Sequence, residues 1–192
     1  MNKKIWFISD THFHHDKNFL YEPRGFNNIY DHDKNIINNW NNMITPFDEV
    51  YHLGDVMLED NEYGLNILKN LNGQIHIILG NHDSDTRAEL YKQCANVVEV
   101  TYAKRLKIGK HLFWLSHYPT ITTYIDKKKT KEHLICLHGH LHDTNKFYNN
   151  NPYIYNVALD AHNNKPVTIE EILEDIKIKK EEILNEITSN NN

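Results

Sequence analysis

Residues 75–83 have the sequence Ile-His-Ile-Ile-Leu-Gly-Asn-His-Asp, a mostly apolar run followed directly by a glycine and three polar residues. Short runs rich in β-branched residues predict buried strands. Gly80 permits a sharp turn at the end of such a strand. The amide oxygen of Asn81 suits a hard metal ion, and His82 follows it directly. The segment therefore predicts a buried strand that ends in a metal-binding turn.

Four further apolar runs also end in residues that can bind a metal, and they occupy residues 5–8, 50–53, 112–115 and 134–137. In an open α/β sheet, ligands bind in the crevice beyond the carboxyl ends of the strands. Side chains at five strand ends can therefore converge, although they lie far apart in the sequence. The candidates at these ends are Asp10, His12, Asp55, Asn81, His117, His138, His140 and His142.

The spacing of these candidates favours a metal site over a chance cluster. Asp10 and His12 lie two residues apart, so on an extended segment they point to the same side, and His140 and His142 repeat that spacing. The 14 histidines of the chain could reflect codon bias, but codon bias does not explain why they gather at strand ends. A carboxylate has two oxygens, so a central Asp55 can bridge two ions about 3.5–4 Å apart.

Donor chemistry and charge predict two divalent ions and an anionic substrate. Oxygen and imidazole donors without a thiolate suit manganese, iron, zinc or cobalt better than calcium or copper(I), and we expect manganese first. Asp10 and Asp55 supply two negative charges. Two divalent ions and one bridging hydroxide then leave a net charge of about +1 at the centre. Such a centre attracts a phosphate anion.

Taken in order, the motifs resemble those of the calcineurin-like metallophosphoesterase superfamily, in particular a group of small single-domain bacterial and phage phosphoesterases. The matching segments are Asp10-Thr11-His12, Gly54-Asp55, Gly80-Asn81-His82-Asp83, His117 and Gly139-His140-Leu141-His142. The resemblance spans residues 5 to about 160. It implies an α/β fold, a four-layer α/β/β/α sandwich with two mixed β-sheets and a dimetal site at the carboxyl ends of the strands.

The resemblance also implies a role for each matching residue. One metal would be held by Asp10, His12, Asp55 and His142, and the second by Asp55, Asn81, His117 and His140. His82 would be the catalytic histidine, which contacts the phosphate and protonates the leaving oxygen. The implied reaction is in-line attack on phosphorus by a metal-bridged hydroxide. Asp83 would either orient the His82 segment or cap the following helix.

Three residues outside the motifs are candidate substrate ligands, namely His14, Asn18 and Arg24. His14 and its neighbour His15 follow the first motif closely, and a guanidinium can bind phosphate oxygens in a bidentate manner. For each of them the alternative is an ordinary solvated surface side chain. The lysines within residues 127–131 form either a solvated basic face or a rim that steers phosphate.

Some other polar residues are weaker candidates. Asp160 and His162 follow the last predicted strand and could lie near the site. His138 shares a face with two predicted ligands, and we expect it to pack or hydrogen-bond behind them. The histidines assigned structural roles are His32, His52, His76, His111 and His133.

The remaining pattern predicts alternating helices and strands. The predicted helices begin near residue 31 and cover residues 63–71, 87–91 and 168–187. Thr168 and Glu171 form a capping box for the last of them, and Ser84 or Asp85 could cap the short one. The other predicted elements are a loop over 16–30, a hairpin turn at 108–110, a helix or loop over 121–133 and a last strand over 153–159.

Composition limits the class of protein. With 192 residues, 40% hydrophobic and 24% charged, the chain is expected to form one domain over residues 1–188, followed by a disordered tail over 189–192. Two cysteines suggest reduced thiols and a cytoplasmic location. No apolar stretch approaches the length of a signal or membrane-spanning segment, so no membrane partner is expected. The net charge of −5 argues against extended nucleic acid as a general partner. The oligomeric state is not visible in the sequence.

We therefore predict a dimetal phosphoesterase that hydrolyses a phosphodiester or phosphomonoester, with a small nucleotide-like molecule as substrate. The first alternative is a nuclease or phosphatase that acts on nucleic-acid ends, and a protein phosphatase is a further one. A catalytically silent protein-binding scaffold is the alternative from a different class. Such a scaffold would be expected to lose metal ligands or the catalytic histidine, all of which this sequence retains.

Overall fold

The computed structural model of the chain describes residues 3–121 and 134–190. Five α-helices and nine β-strands lie within these ranges. The helices are α1 (Asn18–Tyr21), α2 (Ile29–Met43), α3 (Asn61–Lys69), α4 (Asp85–Tyr91) and α5 (Ile169–Asn190). The strands are β1 (Ile5–Ile8), β2 (Glu49–His52), β3 (Gln74–Ile78), β4 (Val97–Thr101), β5 (Ala103–Ile108), β6 (His111–Ser116), β7 (Leu134–His138), β8 (Ile154–Asn156) and β9 (Val167–Thr168).

The first sheet is built around four parallel strands, in the order β4-β3-β2-β1-β9. Strands β1 to β4 run parallel, and β9 pairs with β1 in the antiparallel direction. At the end of the β1–β2 pair, Ile8 lies opposite His52. The carboxyl ends of β1, β2 and β3 therefore meet at one edge. The loops that carry Asp10, Asp55 and Asn81 begin at this edge.

The second sheet has the strand order β5-β6-β7-β8. Strands β5 and β6 form an antiparallel hairpin around Gly109, whose φ of +56° lies in the left-handed region. Strands β6, β7 and β8 are parallel, so His117 and His140 follow strand ends at a common edge. A parallel bridge between Ser9 and Ala158 joins the two sheets at the edges where the candidate ligands follow the strands.

Two hydrophobic clusters lie on opposite faces of the first sheet. Trp6 and Ile8 of β1 belong to a cluster with α2, α3 and α4, whereas Phe7 between them belongs to a cluster with the second sheet. This alternation is what a strand buried on both faces requires. Helix α5 contributes Ile172 and Ile176 to the second cluster. Helices thus cover one face of the first sheet and the second sheet covers the other.

The structure confirms the predicted mixed α/β fold with two mixed sheets, although the full count of four layers stays a prediction. The five apolar runs form β1, β2, β3, β6 and β7. The capping box is present: Glu171 Oε2 accepts from the Thr168 N–H (2.8 Å), and Thr168 Oγ1 accepts from the Glu171 N–H (3.3 Å). No described helix is both long enough and apolar enough to cross a membrane.

Several predicted boundaries need correction. The loop expected over 16–30 contains α1 and the start of α2. The last strand is shorter than predicted, because Asn156 Oδ1 accepts from the Ala158 N–H (2.9 Å) and the chain turns away. Helix α5 continues past residue 188, and Ser189 Oγ donates to the carbonyl of Asn185 (2.9 Å) inside its last turn. The predictions for residues 122–133, which include the lysine run, and for 191–192 lie outside the described residues.

Candidate metal centre

All seven predicted metal ligands lie at the edge where the parallel strands of the two sheets end. They occupy the loops after β1 (Asp10, His12), β2 (Asp55), β3 (Asn81), β6 (His117) and β7 (His140, His142). Two carboxylate–histidine groups have ligand atoms that all lie within 4.8 Å of one another. One group is Asp10, His12 and His142, and the other is Asp10, Asp55 and His117.

The first group brings two imidazoles against one buried carboxylate. The Nε2 atoms of His12 and His142 lie 3.2 Å apart. Asp10 Oδ1 lies 3.8 Å from His12 Nε2 and 3.7 Å from His142 Nε2. Asp10 is fully buried and His12 almost so, at 0% and 2% exposure. Three donor atoms that face one another at this distance leave space for one ion between them.

Asp55 lies between the two predicted sets of ligands. Its Oδ2 is 3.5 Å from His12 Nε2 and 3.4 Å from His117 Nε2. On the His117 side, Asn81 Oδ1 lies 3.0 Å from His117 Nε2 and 2.9 Å from His140 Nδ1. The central position of Asp55 is the one that a bridging carboxylate requires.

Five of the seven predicted ligands have a left-handed backbone, which is uncommon for residues other than glycine. Their φ angles are 59° (Asp10), 46° (His12), 57° (Asp55), 73° (His140) and 48° (His142). Each such residue costs of order 1–3 kcal/mol and persists only where the surrounding structure enforces it. At these five positions the backbone conformation is consistent with loops shaped to aim side chains at a common point.

Glycines allow the loops to approach the ligands closely. A Cβ atom at Gly139 would overlap both Ser9 Oγ and Asp10 Oδ2, and a Cβ at Gly80 would overlap Asp55 Oδ1. The amide N–H of His140 uses this proximity to donate to Asp10 Oδ2 at 3.0 Å. With a donor set of carboxylate, amide and imidazole groups, the residues present therefore fit divalent metal ions.

The pKa values of the two carboxylates shift in opposite directions. Burial raises the pKa of Asp10 despite the nearby histidines. Burial alone would also raise the pKa of Asp55, but the hydrogen bond and charge of His117 outweigh it and hold that pKa well below its usual value. For His117 burial acts downward, and the Asp55 and Asp10 carboxylates outweigh it and raise the pKa to about 8. Before any cation binds, the two carboxylates therefore favour the protonated form of His117.

Hydrogen bonds at the far ring nitrogens orient two of the histidines. His117 Nδ1 lies 2.8 Å from the carbonyl oxygen of Leu53, to which it donates, so its Nε2 is the ring nitrogen that faces Asp55. His142 Nδ1 lies 3.2 Å from Asp160 Oδ2, so its Nε2 faces His12. A metal-binding histidine commonly has its second nitrogen held by a carbonyl or carboxylate in this way.

Arg24 lies behind the predicted ligands and not in the cleft. Its Nε and Nη2 donate to both carboxylate oxygens of Asp160 (3.0 and 2.7 Å). Nη2 also donates to the carbonyl oxygen of Asp10 (2.9 Å), and Nη1 lies 2.9 Å from His32 Nε2. These contacts engage most of the guanidinium N–H groups of a side chain that is only 8% exposed. The structure thus replaces the predicted contact with substrate phosphate by a contact that positions Asp10 and His142.

The other two predicted substrate ligands are engaged elsewhere. The ring of His14 packs against Tyr63, with centroids 4.3 Å apart. Asn18 donates to Glu22 Oε1 (2.9 Å) and accepts from the Tyr21 hydroxyl (2.7 Å), so its side chain stabilises α1. Neither residue lines the cleft in front of the predicted ligands.

The cleft in front of the ligands has a volume of about 490 Å³. Besides ligands from both sets, it is lined by His15, Phe19, Leu20 and His82. His82 is exposed, and its backbone N–H donates to Asp55 Oδ1 (2.9 Å). Its ring lies edge-on to His12, with centroids 5.4 Å apart. The predicted catalytic histidine is therefore fixed beside the metal ligands but open to the cleft.

Asp83 holds two ligand loops together. Its Oδ2 accepts from the backbone N–H groups of Asp55 (2.7 Å) and Gly80 (2.9 Å), and its Oδ1 accepts from the Tyr91 hydroxyl (2.7 Å). Helix α4 is capped instead by Ser84, whose side chain accepts from the Arg87 N–H. Of the two roles considered for Asp83, the structure therefore gives it the positioning role.

Sequence reasoning undervalued three residues of this site. His15 lines the cleft although His14 was preferred, and Phe19 was not considered. Asp160 was a weak candidate, yet it contacts His142 directly, whereas His162 donates to the carbonyl oxygen of Asn156 (2.8 Å).

His138 is buried behind the ligands, as expected, with Nδ1 2.8 Å from the Gly139 carbonyl oxygen.

Comparison with known proteins places these features in a family. The family model described as "Calcineurin-like phosphoesterase superfamily domain" matches residues 4–157. An uncharacterized protein of Methanocaldococcus jannaschii is 33% identical over 177 residues, covering 89% of this chain and 90% of that protein. The gene 66 protein of Mycobacterium phage D29 is 30% identical over 196 residues, covering 90% of this chain and 97% of that protein.

A solved structure has a similar fold over nearly its whole length. It is that of a protein of unknown function from Aquifex aeolicus, with a TM-score of 0.68 and 27% sequence identity. The match covers 90% of this chain and 99% of that one. The solved structure therefore shares this architecture over its whole length, and this chain also spans nearly the full length of the two sequence relatives.

Proposed function

This chain belongs to the calcineurin-like phosphoesterase superfamily, and from that premise we propose that it is a metal-dependent phosphoesterase that uses two divalent ions to hydrolyse a small phosphoester. The observation that carries the proposal is the position of Asp55. Its Oδ2 lies 3.5 Å from His12 Nε2 and 3.4 Å from His117 Nε2, between two sets of donors. One carboxylate oxygen placed between two histidines is suited to bridge two ions.

The chain offers a ligand set for each ion. Asp10, His12, Asp55 and His142 would hold the first, and Asp55, Asn81, His117 and His140 the second. Manganese is our first expectation, with iron, zinc or cobalt as alternatives, because the donors are oxygen and imidazole without thiolate. When bound, such ions would lower the pKa of a water molecule and polarise the phosphoryl oxygens.

His82 is suited to donate to the leaving oxygen. Its backbone is held at two points, because its N–H donates to Asp55 Oδ1 (2.9 Å) and its carbonyl accepts from Arg87 Nη1 (2.8 Å). The exposed ring can then reach a phosphate that sits on the metal ligands. A positioned imidazole in this place can protonate the leaving oxygen or stabilise charge that develops on it.

The cleft favours a small substrate over a polymer. Among the described residues that line it, none is a lysine or an arginine. The positive charge that holds a phosphate would therefore come from the metal ions, without a row of cations to follow a nucleic-acid backbone. The net charge of −5 also disfavours binding of a nucleic-acid polymer.

A direct test is hydrolysis of bis-p-nitrophenyl phosphate and p-nitrophenyl phosphate by metal-stripped protein, before and after Mn²⁺ is added. The proposal predicts release of p-nitrophenolate from at least one ester only after addition of metal. The matched control is Asp55→Ala, which should remain inactive with Mn²⁺. If protein that demonstrably binds the metal hydrolyses neither ester, a binding scaffold would be the better description.

A further inference from the structure

An exposed aromatic side chain stands on one side of the metal centre. Phe19 of α1 lines the cleft although it is 72% exposed. It lies edge-on to His15, with ring centroids 5.6 Å apart, and the His15 ring lies 5.5 Å from that of His12. Leu20, next to it, also lines the cleft. An exposed apolar surface that faces a site is a common mark of ligand binding.

A second exposed aromatic side chain stands at the other set of ligands. Tyr118 follows His117 directly and is 50% exposed. Its ring lies 4.6 Å from that of His140 and 5.2 Å from that of His117, in edge-on arrangements. Because half of Tyr118 is exposed, part of its ring surface is available to a ligand despite these two contacts.

The two aromatic residues flank the place where phosphorus would bind. Phe19 belongs to the side of His12, and Tyr118 belongs to the side of His117 and His140. Asp55 Oδ2 lies between these sides, 3.5 Å from His12 Nε2 and 3.4 Å from His117 Nε2. A phosphate centred on Asp55 would therefore have one exposed ring beyond each of its ends.

The charge around the cleft distinguishes further between the possible classes of substrate. The described cleft residues contain no lysine or arginine, and nearby Lys17 is paired with Glu59 at 3.1 Å. A polyphosphate chain or a long nucleic acid would bring several charges that these residues do not neutralise. A molecule with one phosphate and two flat rings matches both the charge and the rings.

We propose that the substrate is a phosphodiester with an aromatic ring on each side of phosphorus, a dinucleotide, whose bases stack on Phe19 and Tyr118. This inference rests on the proposed function and narrows it. Hydrolysis consumes one water: phosphorus gains a hydroxyl oxygen, its bond to one nucleoside oxygen breaks, and that oxygen takes up the proton. The products are one nucleoside and one nucleotide. Stacking on an aromatic side chain contributes about 5- to 150-fold in affinity for each base.

The test compares a dinucleotide, thymidylyl-thymidine, with dimethyl phosphate, a diester without an aromatic ring, in the Mn²⁺-loaded enzyme. Phe19→Ala and Tyr118→Ala should each lower kcat/KM for the dinucleotide about 10-fold, mainly through KM, and lower it much less for dimethyl phosphate. Phe19→Trp and Tyr118→Phe keep a ring and should retain most of the wild-type value. Phe47→Ala is the matched control, since Phe47 is 81% exposed but precedes β2 at the opposite edge of the sheet.

Each outcome decides between the two proposals. Equal losses on both esters, or no loss in either alanine variant, would overturn the stacking role while leaving the phosphoesterase intact. Preference for a tetranucleotide over the dinucleotide would also overturn it, in favour of nucleic-acid ends. If the wild-type enzyme hydrolyses p-nitrophenyl phosphate but neither diester, the dinucleotide proposal is overturned and the phosphoesterase stands. If it hydrolyses none of the three esters, the proposed function fails as well.

Discussion

Arg24 and Asp160, which are 136 residues apart in the chain, form a partly buried two-point ion pair at distances of 3.0 and 2.7 Å. Each partner also contacts a predicted metal ligand. Arg24 Nη2 donates to the Asp10 carbonyl oxygen (2.9 Å), and Asp160 Oδ2 lies 3.2 Å from His142 Nδ1. Burial alone would raise the pKa of Asp160, but His142 and Arg24 outweigh it and lower that pKa. The pair therefore joins two ligand loops and keeps a negative charge behind His142.

Loss of the Asp160 charge should weaken metal binding. Asp160→Asn keeps the size of the side chain but removes the carboxylate that orients His142, and such partners of metal ligands typically contribute 10- to 100-fold in affinity. We expect a loss of that size in Mn²⁺ affinity, measured by isothermal titration calorimetry. Asp175→Asn is the matched control, because Asp175 accepts from Lys146 and Tyr155 and is not among the groups of the metal centre. Equal affinities in the two variants would refute the positioning role.

Removal of the His82 imidazole should slow turnover and spare the metal. Only the backbone N–H of His82 contacts Asp55, so His82→Ala leaves the predicted ligands in place. If the ring is the general acid, kcat should fall by roughly 10²–10⁴-fold. Metal content should match the wild type. His111→Ala, at the start of β6, should leave kcat unchanged. A His82→Ala variant with wild-type turnover would show that another group protonates the leaving oxygen.

A methyl group at Gly139 should disturb the centre from behind. Its Cβ would overlap Ser9 Oγ and Asp10 Oδ2, so the β7 loop or the Asp10 carboxylate must move. Gly139→Ala should lose about 1–3 kcal/mol of unfolding free energy by overpacking, and it should bind Mn²⁺ more weakly. A Cβ atom at Gly109 would face open space, so Gly109→Ala should lose only the free energy that a left-handed φ of +56° costs a residue other than glycine. The comparison uses thermal unfolding and metal titration, and normal metal affinity in Gly139→Ala would contradict the tight packing.

Stability at low pH should depend on Asp48, far from the metal centre. Burial alone would raise the pKa of Asp48, but hydrogen bonds from the backbone of Thr45 and Lys4 (2.8 Å each) outweigh it and lower the pKa. A lowered folded-state pKa stabilises the protein above the unfolded-state pKa of about 3.9, and that stabilisation is lost as pH falls through the folded-state value.

The corresponding variant is Asp48→Asn, which removes the charge from a side chain that is 3% exposed. It should reduce the free energy of unfolding by about 1–3 kcal/mol at pH 7. The difference from the wild type should stay constant between pH 5 and 8, well above the unfolded-state pKa of about 3.9, and shrink below pH 4. Chemical denaturation at several pH values measures this, and a difference that grows on acidification would have the wrong sign.

The convergence of the candidate metal ligands could be predicted from the sequence because each follows an apolar strand within a few residues. Five strand ends in a parallel arrangement fix where such side chains meet, whatever the lengths of the intervening segments. Strand β9 was missed because the pairing of Val167 and Thr168 with β1 is too short to leave an alternating pattern. The four-residue α1 was missed for the same reason.

The residues around the ligands were harder to predict, because their partners are distant in sequence or set by loop geometry. Nothing local to Arg24 indicates a partner at Asp160. His14 and His15 are adjacent, yet His14 has a φ of 63° and packs on Tyr63, whereas His15 faces the cleft. In a loop without strand periodicity, the sequence does not show which of two neighbouring histidines points to the site.

The most direct test of the central claim is a count of bound metal in the wild type and in Asp55→Ala, by elemental analysis after dialysis with Mn²⁺. The account predicts two ions per chain in the wild type, because Asp55 Oδ2 lies 3.5 Å from His12 Nε2 and 3.4 Å from His117 Nε2. It predicts fewer ions in Asp55→Ala, together with loss of phosphoester hydrolysis. One ion per wild-type chain, or an unchanged count in the variant, would contradict a shared carboxylate at this position.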